Sequence, residues 1–115
     1  MWPKLEFDLP WPSNVTEEVL SREYCSLVVW FIRSSISVDS IAPVPLEGRI
    51  HLDMNFHAPG KAKFNMIKRA QLILDAMRTT DLWKNDAQVT AVVLTKGVMD
   101  KENPRVHIAI HKYGD

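Results

Sequence analysis

The chain has 115 residues, of which 46% are hydrophobic and 24% are charged, as in ordinary soluble globular proteins. This composition argues against a disordered chain or a coiled coil, and the length predicts one domain over residues 1–115. Because 14 basic side chains balance 14 acidic ones, binding of nucleic acid by the whole surface is also disfavoured. A local basic patch remains compatible with a neutral chain, since binding follows the local potential.

The single cysteine and the lack of long apolar runs point to the cytoplasm. Cys25 has no second cysteine in this chain with which to form a disulfide, which fits a reducing compartment. No apolar run approaches the roughly 20 residues that span a bilayer, and the first residues lack the apolar segment of a signal peptide. We therefore expect a cytoplasmic protein with no membrane partner.

The first predicted element is a short strand at residues 5–9. Apolar and charged residues alternate there, which is the period of two that a half-buried strand requires. The strand is expected to end in the segment Leu9–Asn14 (Leu-Pro-Trp-Pro-Ser-Asn), because neither proline has an amide hydrogen to donate to a sheet.

A helix is predicted to follow, with Ser21 as its N-cap and Glu23 in its first turn. Its expected buried stripe consists of Tyr24, Leu27, Val28, Phe31 and Ile32. Val29 and Trp30 widen the apolar surface beyond one face. Trp30 is either buried in the core of this chain, or it packs against a second copy of the chain or against another protein.

The second strand is predicted from Gly48 to His57, after a proline-containing loop at Ser37–Pro45. Alternate residues point to opposite sides of a strand, so this one has an apolar and a polar side. The apolar side carries Ile50, Leu52, Met54 and Phe56, and the polar side carries His51, Asp53, Asn55 and His57. The polar row either binds a metal ion or is an ordinary solvent-facing side, and the pattern favours the second interpretation.

The most regular periodicity lies between His57 and Val89 and predicts a helix after Asn65. Asn65 stands where an N-cap is expected, since its side chain can accept a hydrogen bond from a free amide of the first turn. The apolar stripe consists of Met66, Ala70, Ile73, Leu74 and Met77. Four cations surround the helix start, namely Lys61, Lys63, Lys68 and Arg69. Cations beside free helix amides suit an anionic partner such as phosphate, although a solvated basic surface needs no partner.

Two further strands, Val89–Lys96 and Arg105–Lys112, are predicted with a polar hairpin loop between them. His107 and His111 share a face but lie about 13 Å apart at ~3.3 Å per residue, so they are expected to be surface residues that do not ligate one ion together. The element order predicts an α/β (α+β) fold, β-α-β-α-β-β. We expect a mixed four-stranded sheet, two helices on one face and a C-terminal β-hairpin.

Two segments resemble the RusA family of Holliday-junction resolvases, which are crossover junction endodeoxyribonucleases. One is Leu9–Asn14, and the other contains Asn65–Lys68, Asp75–Met77 and Trp83–Val89. The resemblance implies a RusA-like domain over the whole chain, acting as a homodimer on four-way DNA junctions. It also implies Mg²⁺, which takes oxygen ligands from several carboxylates around the scissile phosphate.

Particular roles follow from the resemblance. Lys68 matches the lysine that stabilises charge on the phosphate, and Asp86 matches an aspartate with metal-binding chemistry. Asn65, Asn85 and Gln88 match other positions of the family pattern. Two aspartates of the pattern are missing. The alignment places them on Ala62 and Phe64 or, without a gap, on Asn65 and Ile67. Asp53 is the expected substitute metal ligand if its side of the strand points towards Asp86, with Asp75 as the other nearby acid.

We therefore expect a protein of recombination and repair that binds branched DNA, with Mg²⁺-dependent endonuclease activity weakened or lost. The DNA-binding residues implied are Lys61, Lys63, Asn65, Lys68 and Arg69. A fully active junction nuclease is a second hypothesis. The third is a phage- or prophage-borne scaffold repurposed to bind a protein as an inhibitor or adaptor, and in each case the expected place of action is the bacterial cytoplasm.

Overall fold

A computed structural model describes residues 4–12, 22–39, 45–61 and 63–112. The strands in this part of the chain are β1 (Leu5–Pro10), β2 (Ile50–His57), β3 (Val89–Lys96) and β4 (Arg105–Lys112). The helices are α1 (Arg22–Asp39) and α2 (Met66–Arg78), and a single 3₁₀ turn spans Asp86–Gln88. The predicted β-α-β-α-β-β order and the mixed four-stranded sheet are confirmed.

The strands are arranged in the order β1-β4-β2-β3, with β2 parallel to β3 and β4 antiparallel to both β1 and β2. The predicted C-terminal hairpin is therefore wrong, because β2 lies between β3 and β4. The helix α2 carries the chain back so that β3 pairs in parallel with one side of β2, which leaves the other side for β4. The loop at 97–104 crosses the end of β2, where Gly97 N donates to Phe56 O at 2.9 Å and Asp100 N donates to Ala58 O at 2.8 Å.

The core lies between one face of this sheet and the two helices. Along β2, buried residues alternate with half-buried ones, as the sequence predicted for its apolar and polar sides. The stripe of α2 is also confirmed, with Ala70, Ile73 and Met77 buried. Leu27 of α1 was wrongly expected in the core, because 41% of its surface is exposed. The second face of the sheet carries no helix among the described residues, and we name it the open face.

The ends of α1 differ in part from the prediction. The proposed cap Ser21 and the side chain of Glu23 lie outside the described residues. The helix continues to Asp39, so the loop predicted from Ser37 begins too early; nothing in Ser-Val-Asp breaks a helix. Near its start, the buried hydroxyl of Tyr24 donates to Pro10 O at 2.8 Å, and burial raises the pKa of this phenol. In the part of the chain that is described, neither helix has the length and apolar character to cross a membrane.

Candidate nucleic-acid interface

Cations gather at the edge of the sheet where the parallel strands end. β2 and β3 both finish at this edge and α2 begins there, because α2 connects two parallel strands. The loop between β2 and α2 adds Lys61 and Lys63, whose side chains are exposed. The carboxyl end of parallel strands next to a helix N-terminus is where α/β folds commonly bind ligands.

The predicted N-cap is confirmed in detail. Asn65 is in extended conformation, and its Oδ1 accepts a hydrogen bond from Lys68 N at 3.0 Å. This hydrogen bond provides an acceptor for one of the backbone amides in the first turn of α2 that have no acceptor within the helix. The helix dipole keeps a positive potential at this end, where no acidic residue lies in the first turn.

Two further cations, Arg69 and Lys96, lie beside the aromatic ring of Phe64. Arg69 Cζ lies 5.6 Å from the centroid of this ring, and Lys96 Nζ lies 5.2 Å from it. The ring is fixed from behind by Trp11, with centroids 5.0 Å apart and the planes nearly perpendicular. Lys96, at the end of β3, was missed by the sequence analysis. It was detectable only by inferring that β3 ends beside β2, which a strand-helix-strand order favours.

We call the five cations of this region the basic edge. They are Lys61, Lys63, Lys68, Arg69 and Lys96. Three of them, Lys61, Lys63 and Lys96, border a cleft of about 190 Å³ beside Phe64. No carboxylate among the described residues forms an ion pair with any of the five. The sequence contains no Asp or Glu between Asp53 and Asp75, so this stretch adds only positive charges to a chain that is neutral overall.

Asp86 lies at the other edge of the sheet, where β3 starts. Its Oδ2 pairs with Arg78 at 2.7 Å, and its Oδ1 accepts a hydrogen bond from Trp83 Nε1 at 3.2 Å. Arg78 also binds Asp75 at 2.8 Å, and these two acids raise the pKa of its guanidinium. Because Arg78 lies ten residues after Lys68 in α2, the two are about 15 Å apart along the helix axis. The structure therefore does not bring Lys68 and Asp86 together.

In the segment that matches the family pattern, the side chains next to Asp86 form hydrogen bonds with nearby backbone groups. Asn85 caps the 3₁₀ turn by accepting from Ala87 N at 2.9 Å. Gln88 Oε1 accepts from Lys84 N and Asn85 N at 2.9 Å each, while its Nε2 donates to Leu46 O at 2.9 Å and Gly48 O at 3.0 Å. A cleft of about 730 Å³ adjoins Asn85 and Gln88, but Asp86 is not among its lining residues.

Asp53 projects from the open face of the sheet, on the opposite side from α2. It therefore does not point towards Asp86, which pairs with α2 through Arg78. Instead its Oδ1 lies 3.0 Å from His51 Nε2, and these two form a group with His111 on the neighbouring strand. That group is the one set of three metal-capable side chains found among the described residues.

The surroundings of Asp86 do not fit a Mg²⁺ ion. Mg²⁺ is bound by several oxygen ligands, yet Asp86 is paired with Arg78, and the nearby carboxylate of Asp75 is bound by the same guanidinium. Of the positions where the pattern expects aspartates, Ala62 lies outside the described residues and Phe64 supplies only an aromatic ring. The catalytic roles assigned to Asp86 and Lys68 remain predictions.

Comparison with known proteins adds one match. The model of a protein family described as endodeoxyribonuclease RusA matches residues 16–111. The match includes the basic edge and the 3₁₀ turn, and it begins just after the segment Leu9–Asn14. No curated protein matches the chain significantly.

Proposed function

The chain belongs to the RusA family of endodeoxyribonucleases, and from this premise we propose that it binds branched DNA through the basic edge, with its Mg²⁺-dependent cleavage weakened or lost. The observation that carries the proposal is the clustering of five cations around the start of α2, none of which forms an ion pair with a carboxylate of the described residues. Elsewhere the described cations Arg78 and Arg105 are neutralised by carboxylates within hydrogen-bond distance.

Phosphate is the anion that this arrangement suits. Arg69 and Lys96 lie over one aromatic ring although their charges repel each other, and an anion between or beside them would relieve that repulsion. The helix N-terminus adds backbone donors, which commonly contact nucleic-acid phosphates without reading sequence. These contacts favour recognition of DNA shape over base sequence.

The weakened cleavage follows from the acidic residues. Nucleases of this family are generally metal-dependent. In this chain the one family-like aspartate after the helix is paired with Arg78, and neither alignment supplies the two aspartates before it. A metal ion held by a single displaced aspartate would be bound weakly and would lack a fixed position for the phosphate.

A gel-shift titration of a labelled four-way junction tests the binding. We expect binding that falls steeply with added salt, because about four phosphate contacts release about four counterions. The double variant Lys61→Ala/Lys63→Ala should bind at least tenfold more weakly. The matched control Arg49→Ala/Lys84→Ala removes two exposed cations at the other edge of the sheet and should bind as the wild type does. Equal loss in both variants, or no binding by the wild type, would refute the proposal.

Cleavage is scored on the same samples with Mg²⁺ or Mn²⁺. We expect little or no incision of the junction by the wild type. Paired incision that disappears in Asp86→Asn would show an active nuclease and overturn the second half of the proposal. The two parts of the proposal, DNA binding and weakened cleavage, can therefore be refuted independently of each other.

A second candidate function rests on the exposed apolar surface of α1. Trp30 is 61% exposed and Leu27, one turn earlier, is 41% exposed. Large apolar residues on a surface favour a protein contact. A second copy of this chain is our first candidate for the occupant, and a different protein bound by a repurposed scaffold is the alternative.

A further inference from the structure

Three side chains from two neighbouring strands converge on the open face of the sheet. β2 and β4 are antiparallel, and their register places His51 directly opposite His111. Asp53 is two residues after His51 and therefore on the same face. One ligand atom from each of the three lies within 4.8 Å of the others.

We propose that His51, Asp53 and His111 form a binding site for Zn²⁺ or a similar divalent transition metal. The site includes Asp53, which was considered above as a substitute metal ligand for the nuclease, but it contains neither Asp86 nor any residue of the basic edge. Its location on the two central strands gives it a rigid base.

The spacing of the three groups suits a metal ion. Zn²⁺ binds His nitrogen and carboxylate oxygen at about 2.0–2.2 Å, so two ligand atoms of a tetrahedral site are about 3.3–3.6 Å apart. His51 Nε2 and Asp53 Oδ1 are already 3.0 Å apart. The rings of His51 and His111 are stacked with centroids 4.5 Å apart, and since the ligand atoms of all three residues lie within 4.8 Å, the third ligand must rotate to reach the same ion.

A second observation at the same place concerns the partners of these groups. Nδ1 of His111 is buried and has no hydrogen-bond partner among the described residues. A buried polar atom without a partner is unfavourable, and ligation through this nitrogen would remove the deficit. Asp53 forms no ion pair with a lysine or arginine of the described residues, whereas Asp75, Asp86 and Asp100 each pair with an arginine.

The kinds of ligand decide which metal is expected. Two imidazoles with one carboxylate suit Zn²⁺, Co²⁺ or Ni²⁺, while Mg²⁺ prefers oxygen ligands alone. The side chains of His51 and Asp53 are 22% and 40% exposed, so a bound ion would keep a position open to water or an exogenous ligand. A metal here also links β2 to β4 and should stabilise the folded chain.

His107 provides a contrast on the same face. Its Nδ1 lies 2.7 Å from Asp8 Oδ1 and its Nε2 lies 3.2 Å from Glu6 Oε1, so its two nitrogens contact two different carboxylates. Such a ring bridges the acids and does not converge with them on one ion. The chain has four histidines, and His107 and His57 therefore serve as internal controls.

The test uses the full chain after treatment with a chelator. Zn²⁺ is titrated calorimetrically, and Co²⁺ is added as a visible-absorption probe. We expect one equivalent of Zn²⁺ to bind, and we expect His51→Gln, Asp53→Asn and His111→Gln each to weaken binding at least tenfold. His57→Gln and His107→Gln should bind as the wild type does, and circular dichroism without metal checks that every variant folds.

NMR of the histidine rings tests the proposed site in the wild-type protein, without any substitution. On addition of Zn²⁺, the ring nitrogens of His51 and His111 should shift while those of His57 and His107 should not. No binding at millimolar Zn²⁺, or binding that survives all three ligand substitutions, would overturn the proposal. Shifts at His107 instead of His111 would overturn it as well. None of these outcomes depends on whether the protein binds or cleaves DNA.

Discussion

At the scale of single residues, the side chains of Asn85 and Gln88 are explained by the hydrogen bonds that they form with the backbone. The Gln88 side chain connects the 3₁₀ turn to the segment before β2 by accepting two amide hydrogens and donating to two carbonyl groups. One side chain therefore fixes the entry of two adjacent parallel strands. A role in folding is sufficient to account for a glutamine at this position.

Replacing Gln88 by alanine should therefore destabilise the fold. Four hydrogen bonds of partly exposed groups contribute less than four buried ones, so we expect the free energy of unfolding to fall by about 1–3 kcal/mol. Urea denaturation measures it, with Gln71→Ala on the exposed side of α2 as control, for which we expect a change within about 0.5 kcal/mol. Equal stability of the Gln88 variant and the wild type would contradict this explanation.

His107 introduces a dependence of stability on pH. Burial lowers the pKa of His107, but its hydrogen bonds to Asp8 and Glu6, together with their charges, outweigh burial and raise it overall. The hydrogen bond from His107 also lowers the pKa of Glu6. A histidine whose pKa is raised on folding stabilises the protein fully below its unfolded pKa of about 6.5. That contribution is lost as the pH rises through the higher folded-state value.

We therefore expect the urea midpoint of the wild type to fall relative to that of His107→Gln as the pH rises above about 6.5. Below that pH the difference between the two proteins should be largest and constant, until the carboxylates begin to protonate. The comparison isolates His107, because the other histidines are present in both proteins. Parallel curves between pH 5.5 and 8 would show that the ion pairs of His107 do not contribute.

At the scale of elements, α2 combines structural and proposed binding roles in one residue. Asn65 caps the helix and also lies at the basic edge. Asn65→Ala should lower the free energy of unfolding by about 1 kcal/mol, because an N-cap side chain is lost. Asn65→Asp keeps a capping oxygen and adds a negative charge, so it should preserve stability but weaken junction binding. Denaturation and gel shift on both variants separate the two roles. Unchanged DNA binding by Asn65→Asp would place the phosphate contact away from the helix start.

The elements that sequence predicts well are those decided by local contacts. The cap and stripe of α2 depend on residues within four positions of each other, and the two sides of β2 depend on simple alternation. The order of the strands depends on pairing between distant segments. A connection of eight residues between β3 and β4 is compatible with a hairpin, and nothing local indicates that β2 lies between them.

The candidate sites follow the same distinction. Lys61, Lys63 and the start of α2 are close in sequence, so their proximity was predictable. His111 meets His51 only through the β2–β4 register, across 60 positions of sequence, and was therefore taken for a lone surface histidine. The distance between Lys68 and Asp86 could not be predicted from the sequence for a related reason. A family pattern gives residue types, whereas the length and direction of α2 decide whether those residues meet.

At the scale of the whole molecule, the proposed functions occupy separate surfaces. The basic edge lies at the carboxyl ends of β2 and β3, the metal group lies on the open face, and Trp30 lies on α1. These surfaces share no residue, so substitutions in one should add to substitutions in another without coupling.

A test of the oligomeric state decides whether a second copy of the chain covers the exposed surface of α1. If Trp30 packs against a second copy, the wild type should have twice the chain mass of 13.2 kDa when size-exclusion chromatography is combined with light scattering. Trp30→Lys should yield the monomer, because a buried lysine without a partner is strongly unfavourable. Val98→Lys replaces a side chain that is 81% exposed in the loop at 97–104 and should leave the dimer intact. A monomeric wild type would remove the second copy as the occupant of the surface at Trp30. A monomer from Val98→Lys alone would move the interface to the end of β3, where it would compete with DNA for the basic edge.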